Sequence, residues 1–420
     1  MIDLPAHTTV EHLFRHESGK MLAVLVKLFG LNQVEIVEDI VQETLLNALE
    51  TWKIKGLPDD PRAWLYRAAK NRTIDYLRRE RNFKERIAPQ YLSNVPSLES
   101  SWLDGYFLDS EIEDAQLRMM FAACHPAIPL ESQLTLMLRT LCGLSTQEIA
   151  AAFLIPTDSI LKRLYRAKEK IREEHLSLEV PIGHELLSRL DAVLQAIYLL
   201  FNEGYKSASS DSIVRHELCA EAIRLGTLLV KNQVSNLPKT HALLALMCFH
   251  ASRLDSRINA EGEIILLEHQ DRSTWNQQLI ALGFTHFKQS SQGNDISVYH
   301  VEAAIASYHV GAPDFTHTNW QAIFYCYNLL YILSPSPIVA LNRAIAWGYA
   351  EGAHAGIEAL LKVPGLKKSH LYHTALGDFY EKTGDAISAK TAYSQALQLA
   401  TLSAEQKVIR QKMNNEQKNG

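Results

Sequence analysis

The stretch from Gly143 to Arg172, GLSTQEIAAAFLIPTDSILKRLYRAKEKIR, spells out two short helices and a tight turn. Ser145 followed three residues later by Glu148 is a capping box, which satisfies two orphan amides at a helix start. Ile149 and Phe153 share one face of that first helix, Pro156 stops it, and Thr157 is placed to cap the second. In the second helix Ile160, Leu164, Ala167 and Ile171 form one apolar stripe. The other face carries Ser159, Lys162, Arg163, Arg166, Lys170 and Arg172, and Asp158 to Arg172 holds six Lys/Arg against two acids. Such a pair is a helix-turn-helix whose second helix can enter a major groove, base-reading residues first and phosphate-binding residues behind. The competing reading is an ordinary helical hairpin with a solvated basic face.

The remaining periodic segments also have helical spacing, with no convincing period-two run and no Asn-Gly or Asp-Gly hairpin signal. The expected fold is therefore all-α, and 420 residues leave room for several domains. A net charge of −5 excludes a generic polyanion binder, so any nucleic-acid contact must come from local basic patches. Five cysteines (Cys124, Cys142, Cys219, Cys248, Cys326) lie scattered without a C-x-x-C pair, as reduced thiols do in a cytoplasmic protein. MIDLPAHTTVEHLF does not read as a signal peptide, and the apolar run near Ala242 to Phe249 is too short to span a bilayer. A cytoplasmic protein without membrane contact is expected.

A second patch lies upstream. His12 to Gly30 reads as a helix with Leu13, Leu22, Leu25, Val26 and Phe29 inside. Glu35 to Trp52 reads as another, with Val37, Val41, Leu45, Ala48, Leu49 and Trp52 inside and Glu35, Asp39, Gln42, Glu43 and Glu50 outside. Asp60-Pro61 opens a third, because Pro suits the first helical position and a carboxylate suits the N-terminal dipole. From Pro61 to Arg86 it carries nine Lys/Arg against three acids, with Trp64 and Tyr66 interleaved with Arg62 and Arg67. Cations beside rings are the chemistry of unpaired nucleic acid, although Trp64 and Leu65 equally suit a core. Between Glu99 and Asp114 there are six acids and no Lys or Arg, the composition of a solvated tether.

VEDIVQETLLNALETW followed by PRAWLYRAAKNRTIDYLRRER resembles region two of a bacterial RNA polymerase sigma factor, and Gly143 to Arg172 resembles region four. With no region-three domain between them, the layout is similar to the extracytoplasmic-function group. The resemblance implies that Asp39, Gln42 and Glu43 dock on the clamp helices of the core polymerase largest subunit, and that region four meets its flap. It implies that the third helix opens the minus-ten element of promoter DNA, with Asn71 in a base pocket and Arg67, Lys70, Arg72 and Arg79 on the backbone. Flipping a base costs a few kcal/mol, so a pocket with single-strand charge is needed. Ser159, Lys162, Arg163, Tyr165 and Arg166 fall where the minus-thirty-five element is read or held. Leu161 departs from the pattern, standing where many members have Lys or Arg. Within this family an acidic tether threads channels that later hold RNA, which gives Asp109, Glu111 and Glu113 an expected part in promoter escape.

Beyond His175 the chain continues for more than half its length. Glu185 to Asn202, Arg215 to Lys231 and Lys239 to Ser256 are amphipathic helices; a further helix, capped by Thr274 and Gln277, is expected to end at Gly283. Leu376, Gly377, Tyr380, Ala389, Tyr393 and Ala396 match the tetratricopeptide pattern. A degenerate copy spans Ile338 to Val363, and Val301 to Val310 with Trp320 to Leu333 supply a further pair. Such stacks present a concave surface suited to a protein or ligand partner. Together with FNEGY, LCAEAIRL and SPSPIVALNRAIA, this layout resembles a sigma group with a long C-terminal helical extension, and implies regulation by that extension. The expected organisation is 1–88 region two, 89–114 acidic linker, 115–178 region four, 179–285 helical extension and 286–420 tetratricopeptide-like repeats.

Two other classes compete with a sigma factor. One is a helix-turn-helix regulator that binds duplex DNA with the solenoid as sensor and without polymerase. The other is a hydrolase hidden in the extension, disfavoured because no H-E-x-x-H, G-x-S-x-G or Walker pattern occurs. No catalytic residue, metal or cofactor is expected. The adjacent Cys124 and His125 read as structural, and Glu261, Glu263, Glu268 and Asp271 suit helix starts and solvent better than a metal.

Overall fold

The computed structural model describes residues 6–87, 103–181, 183–206, 214–259 and 263–419. Among them every regular element is helical, apart from an isolated bridge between Ile258 and Ile264, so the chain is all-α as its periodicity implies. Two compact units divide it, Met1–Ser235 and Asn236–Gly420. No helix among the described residues is long and apolar enough to cross a membrane.

The first unit opens with α1 (Ala6–Phe29), α2 (Val34–Lys55) and α3 (Pro61–Ile87). Leu22, Leu25 and Val26 of α1 are buried, as are Val37, Ile40, Val41, Ala48 and Trp52 of α2. Leu49, expected inside, is 46% exposed. Ile40 and Thr44 complete the inner stripe instead, and the Thr44 hydroxyl donates to the Ile40 carbonyl at 2.7 Å. The Asp60 carboxylate caps α3 by accepting from the Ala63 amide at 2.9 Å. Trp64 packs edge-on against Trp52 at 5.4 Å between ring centroids.

The unit continues through α4 (Asp109–Ala123), α5 (Leu130–Thr140), α6 (Thr146–Phe153), α7 (Thr157–Glu173), α8 (Gly183–Tyr205) and α9 (His216–Lys231). The acidic stretch expected to be a tether is partly helical. Residues 88–102 lie outside the described residues, but Asp109 to Asp114 are the first turns of α4, where acids favour the helix N-terminus. The Ser145–Glu148 capping box forms as read, and Ile160, Leu164, Ala167 and Ile171 are buried. Thr157 does not cap α7; Pro156 stands at that position, and Thr157 is already helical. The extension does not begin a separate body at its first helix. α8 packs on α4 and α5, and Arg189 donates to the Phe121 carbonyl at 3.3 Å.

The second unit holds α10 (Pro238–Ala251), α11 (Gln277–Ser290), α12 (Val298–Gly311), α13 (Trp320–Leu333), α14 (Pro337–Glu351), α15 (Ala353–Leu361), α16 (His370–Lys382), α17 (Ala386–Leu399) and α18 (Ser403–Asn419). Consecutive helices pair along the chain, as in a stack. α10 is buried nearly all round, so its sequence is apolar on every face. α11 does not end at Gly283 but runs on to Ser290, and Asn276 rather than Thr274 caps it, accepting from the Leu279 amide at 3.0 Å. Gly283 is there for space: a Cβ would meet the Phe249 ring at 2.6 Å. The pattern residues near the C-terminus do place two helices against each other. Leu376, Ala389, Tyr393 and Ala396 are buried between α16 and α17, and Gly377 lies under the Tyr393 ring. The expected upstream copy coincides with α14 and α15.

Candidate functional site

α7 owes its geometry to its stripe. With Ile160, Leu164, Ala167 and Ile171 buried, the helix must turn its remaining faces outward. Lys162, Tyr165 and Arg166 are exposed, with Leu161 beside them at 50% exposure. Ser159 is half-buried in the first turn. Arg163 belongs elsewhere: its guanidinium bonds Glu131 of α5 at 2.5 Å and lies over the Phe153 ring. The structure therefore brings Lys162, Tyr165 and Arg166 together on an accessible face and turns Arg163 toward its neighbours.

On α2, Asp39, Gln42 and Glu43 are exposed, and Leu46 extends the same stripe at 58% exposure. Spacings of three and four residues put them on one helical face. Glu43 also meets Arg72 of α3 at 2.5 Å. A cleft of about 250 Å³ has Gln42 and Glu38 on one wall and Arg139, Thr140 and Gly143 on the other.

The basic helix α3 divides its cations. Arg67, Asn71 and Arg79 are exposed. Lys70 reaches Asp104 at 2.6 Å and lies over the Phe107 ring, and Arg72 is held by Glu43. The expected interleaving of rings for base stacking does not hold for Tyr66. It is buried, and its hydroxyl donates to Glu17 at 2.5 Å. Trp64 is half-buried against Trp52. Arg62 bonds Tyr66 and pairs with Asp109.

Glu17 centres this buried polar cluster. Burial alone would raise its carboxyl pKa, but hydrogen bonds from His16, Tyr66 and Lys20, with the Lys20 charge, bring it down to about 2. Burial and the Glu17 charge push the Tyr66 hydroxyl well above the ordinary phenol range. Nothing in local sequence patterning marks Glu17, because its partners come from positions 16, 20, 62 and 66 on two helices. The acids read as a tether are likewise engaged: Glu111 and Asp114 bond Lys27 at 2.8 and 2.6 Å, and Glu113 meets Lys231 at 3.3 Å.

In the second unit, Glu263 pairs with Lys407, Glu268 with Lys412, and Asp271 accepts from the Ser273 amide. Glu261 lies outside the described residues. Among the described residues no group of three metal-ligating side chains is placed to hold an ion.

The model of sigma-70 region 2 matches residues 13–83, and a family of unknown function, DUF6596, matches residues 189–291. An uncharacterized protein of Rhizobium meliloti is 34% identical over 395 residues, 93% of this chain and 92% of the relative. A probable RNA polymerase sigma factor of Haemophilus influenzae is 24% identical over 153 residues, 34% of this chain and 78% of the relative. The ECF RNA polymerase sigma factor SigE of Mycolicibacterium smegmatis is 23% identical over 171 residues, 41% of this chain and 63% of the relative. No solved structure matches.

Proposed function

Because the chain belongs to the sigma-70 family of sigma factors, with a long C-terminal helical extension, we propose that it gives core RNA polymerase its promoter specificity through two separate helical surfaces. Its role is that of a sigma factor, binding core polymerase and promoter DNA. On α2, Asp39, Gln42 and Glu43 supply the polymerase contact at the clamp helices of the largest subunit. On α3, Arg67, Asn71 and Arg79 face the opened minus-ten strand, with Lys70 and Arg72 joining once their carboxylate partners release them. On α7, Lys162, Tyr165 and Arg166 read or grip the minus-thirty-five duplex from the major groove, with Ser159 at the helix entrance.

The observation that carries this reading is the coexistence, on one chain, of an exposed acidic-polar stripe on α2 and an exposed basic face on α7. A duplex-binding regulator has no use for the first. No catalysis is assigned to the protein. The extension regulates these surfaces, and the stacked pairs α14–α15 and α16–α17, read as tetratricopeptide-like, offer a surface for a protein or ligand partner.

Co-elution with core polymerase tests the assignment. The full chain is expected to co-elute. Asp39→Ala with Gln42→Ala is expected to abolish co-elution while leaving affinity for minus-thirty-five duplex unchanged. Equal losses in both assays would remove the separation of surfaces.

A further inference from the structure

Leu161 stands on the outer face of α7 with no polar group of its own. It lies early in the helix, directly before Lys162 and four residues before Tyr165, and half of it is exposed. Residues four apart lie in one column of a helix, so Leu161 and Tyr165 share a column, and Lys162 and Arg166 share another about 100° round. The Tyr165 side chain is 60% exposed, and its hydroxyl is turned along the helix toward Glu169 at 3.4 Å. Other cations of α7 are engaged. Arg163 is held by Glu131, Lys168 pairs with Glu38 of α2 at 2.6 Å, Arg172 reaches Glu35 at 3.4 Å, and Lys170 meets Glu174 at 2.8 Å. The front of α7 that remains is therefore part cationic and part apolar.

The fold does not require a leucine at this position. The buried stripe is complete with Ile160, Leu164, Ala167 and Ile171. Lys, Arg, Gln and Glu form helix about as well as Leu does, and half of the Leu161 side chain still lies in water. Its apolar surface gains only when something covers it. In the major groove every base pair presents hydrogen-bonding groups, and thymine alone adds an apolar one, its C5-methyl. Leucine set against a guanine O6 or a cytosine amine would strip that group of water and return no hydrogen bond. Set against a thymine methyl, it buries apolar surface on both sides at no polar cost.

We propose that Leu161 is a specificity-determining residue, which selects a thymine in the minus-thirty-five element by covering its C5-methyl, with Tyr165 in the same column. It rests on the reading of α7 as the duplex-reading helix and names one base feature that helix demands. Lys162 and Arg166 supply charge beside it. A lysine at the Leu161 position would instead read the O6 and N7 acceptors of guanine.

The test removes the methyl alone. The full chain, loaded on core polymerase, selects its preferred minus-thirty-five duplex from a randomised pool. Each thymine of that duplex is then replaced by deoxyuridine, which differs only in lacking the C5-methyl. Affinity is expected to fall about fourfold at one thymine, the value of one buried methyl. Leu161→Ala should bind the thymine duplex about fourfold more weakly and should no longer distinguish thymine from uracil there. Alanine keeps the helix, and the salt slope should not change, since no charge is lost. Leu161→Lys should shift the preference at that position to guanine. A selected duplex without thymine, no uracil penalty anywhere, or a penalty that persists in Leu161→Ala overturns the proposal. A loss in Leu161→Ala confined to co-elution with polymerase also overturns it, and assigns the apolar column to a protein surface. If no duplex is selected and Arg166→Ala changes nothing, the reading of α7 itself falls and this inference with it; if a duplex is bound through Arg166 without a uracil penalty, only this inference falls.

Discussion

Arg163 of α7 is bonded to Glu131 of α5 at 2.5 Å, while Arg166, one turn later, stands in solvent. The relationship divides the cations of one helix into those that hold the domain together and those left to meet a ligand. Arg166→Ala should weaken binding to minus-thirty-five duplex and lower its salt slope by about one. Arg163→Ala should leave that slope unchanged and cost at most about 1 kcal/mol of stability, since Glu131 is largely exposed. Salt titration of duplex binding for both variants decides it; equal slopes would contradict the division.

The Glu17 cluster gives a pH signature. Its carboxyl pKa is lowered in the folded chain, so its stabilisation is fully present above the ordinary carboxylate range, near 4.5, and is lost as pH falls toward about 2. Glu17→Gln is expected to destabilise the protein by about 2 to 3 kcal/mol at neutral pH, and the gap to the unmodified protein should close as pH drops through that window. Denaturant melts at several pH values measure it, and a gap independent of pH would count against the assignment.

A steric prediction concerns the last helix pair. A Cβ on Gly377 would come within 2.5 Å of the Tyr393 ring, whose hydroxyl is already tied to Asp378 at 2.7 Å and Glu381 at 2.9 Å. Because the ring is fixed at both ends, Gly377→Ala should destabilise the second unit by about 1 to 3 kcal/mol, as overpacking does. Thermal unfolding checks this; an unchanged midpoint would mean that the ring can move aside.

What the sequence made legible follows the range of the signal. The α7 stripe, the Ser145–Glu148 box, the Asp60 cap and the Gly377–Tyr393 contact involve residues within one helix or one hairpin, and each was readable from spacing. The placement of Arg163, the burial of Tyr66 and the exposure of Leu49 were not, because they depend on neighbours from other helices. Glycine misled at Gly283, where packing against Phe249 rather than helix termination explains the residue. The contacts joining α7 to α2 span 130 and 137 positions, a separation at which no local pattern speaks.

Run-off transcription with purified core polymerase tests the central claim most directly. Core polymerase alone should yield no discrete transcript from a library of genomic start regions, and adding this protein should yield defined transcripts from a subset of them. Absence of any protein-dependent transcript, together with absence of co-elution with the polymerase, would contradict the account.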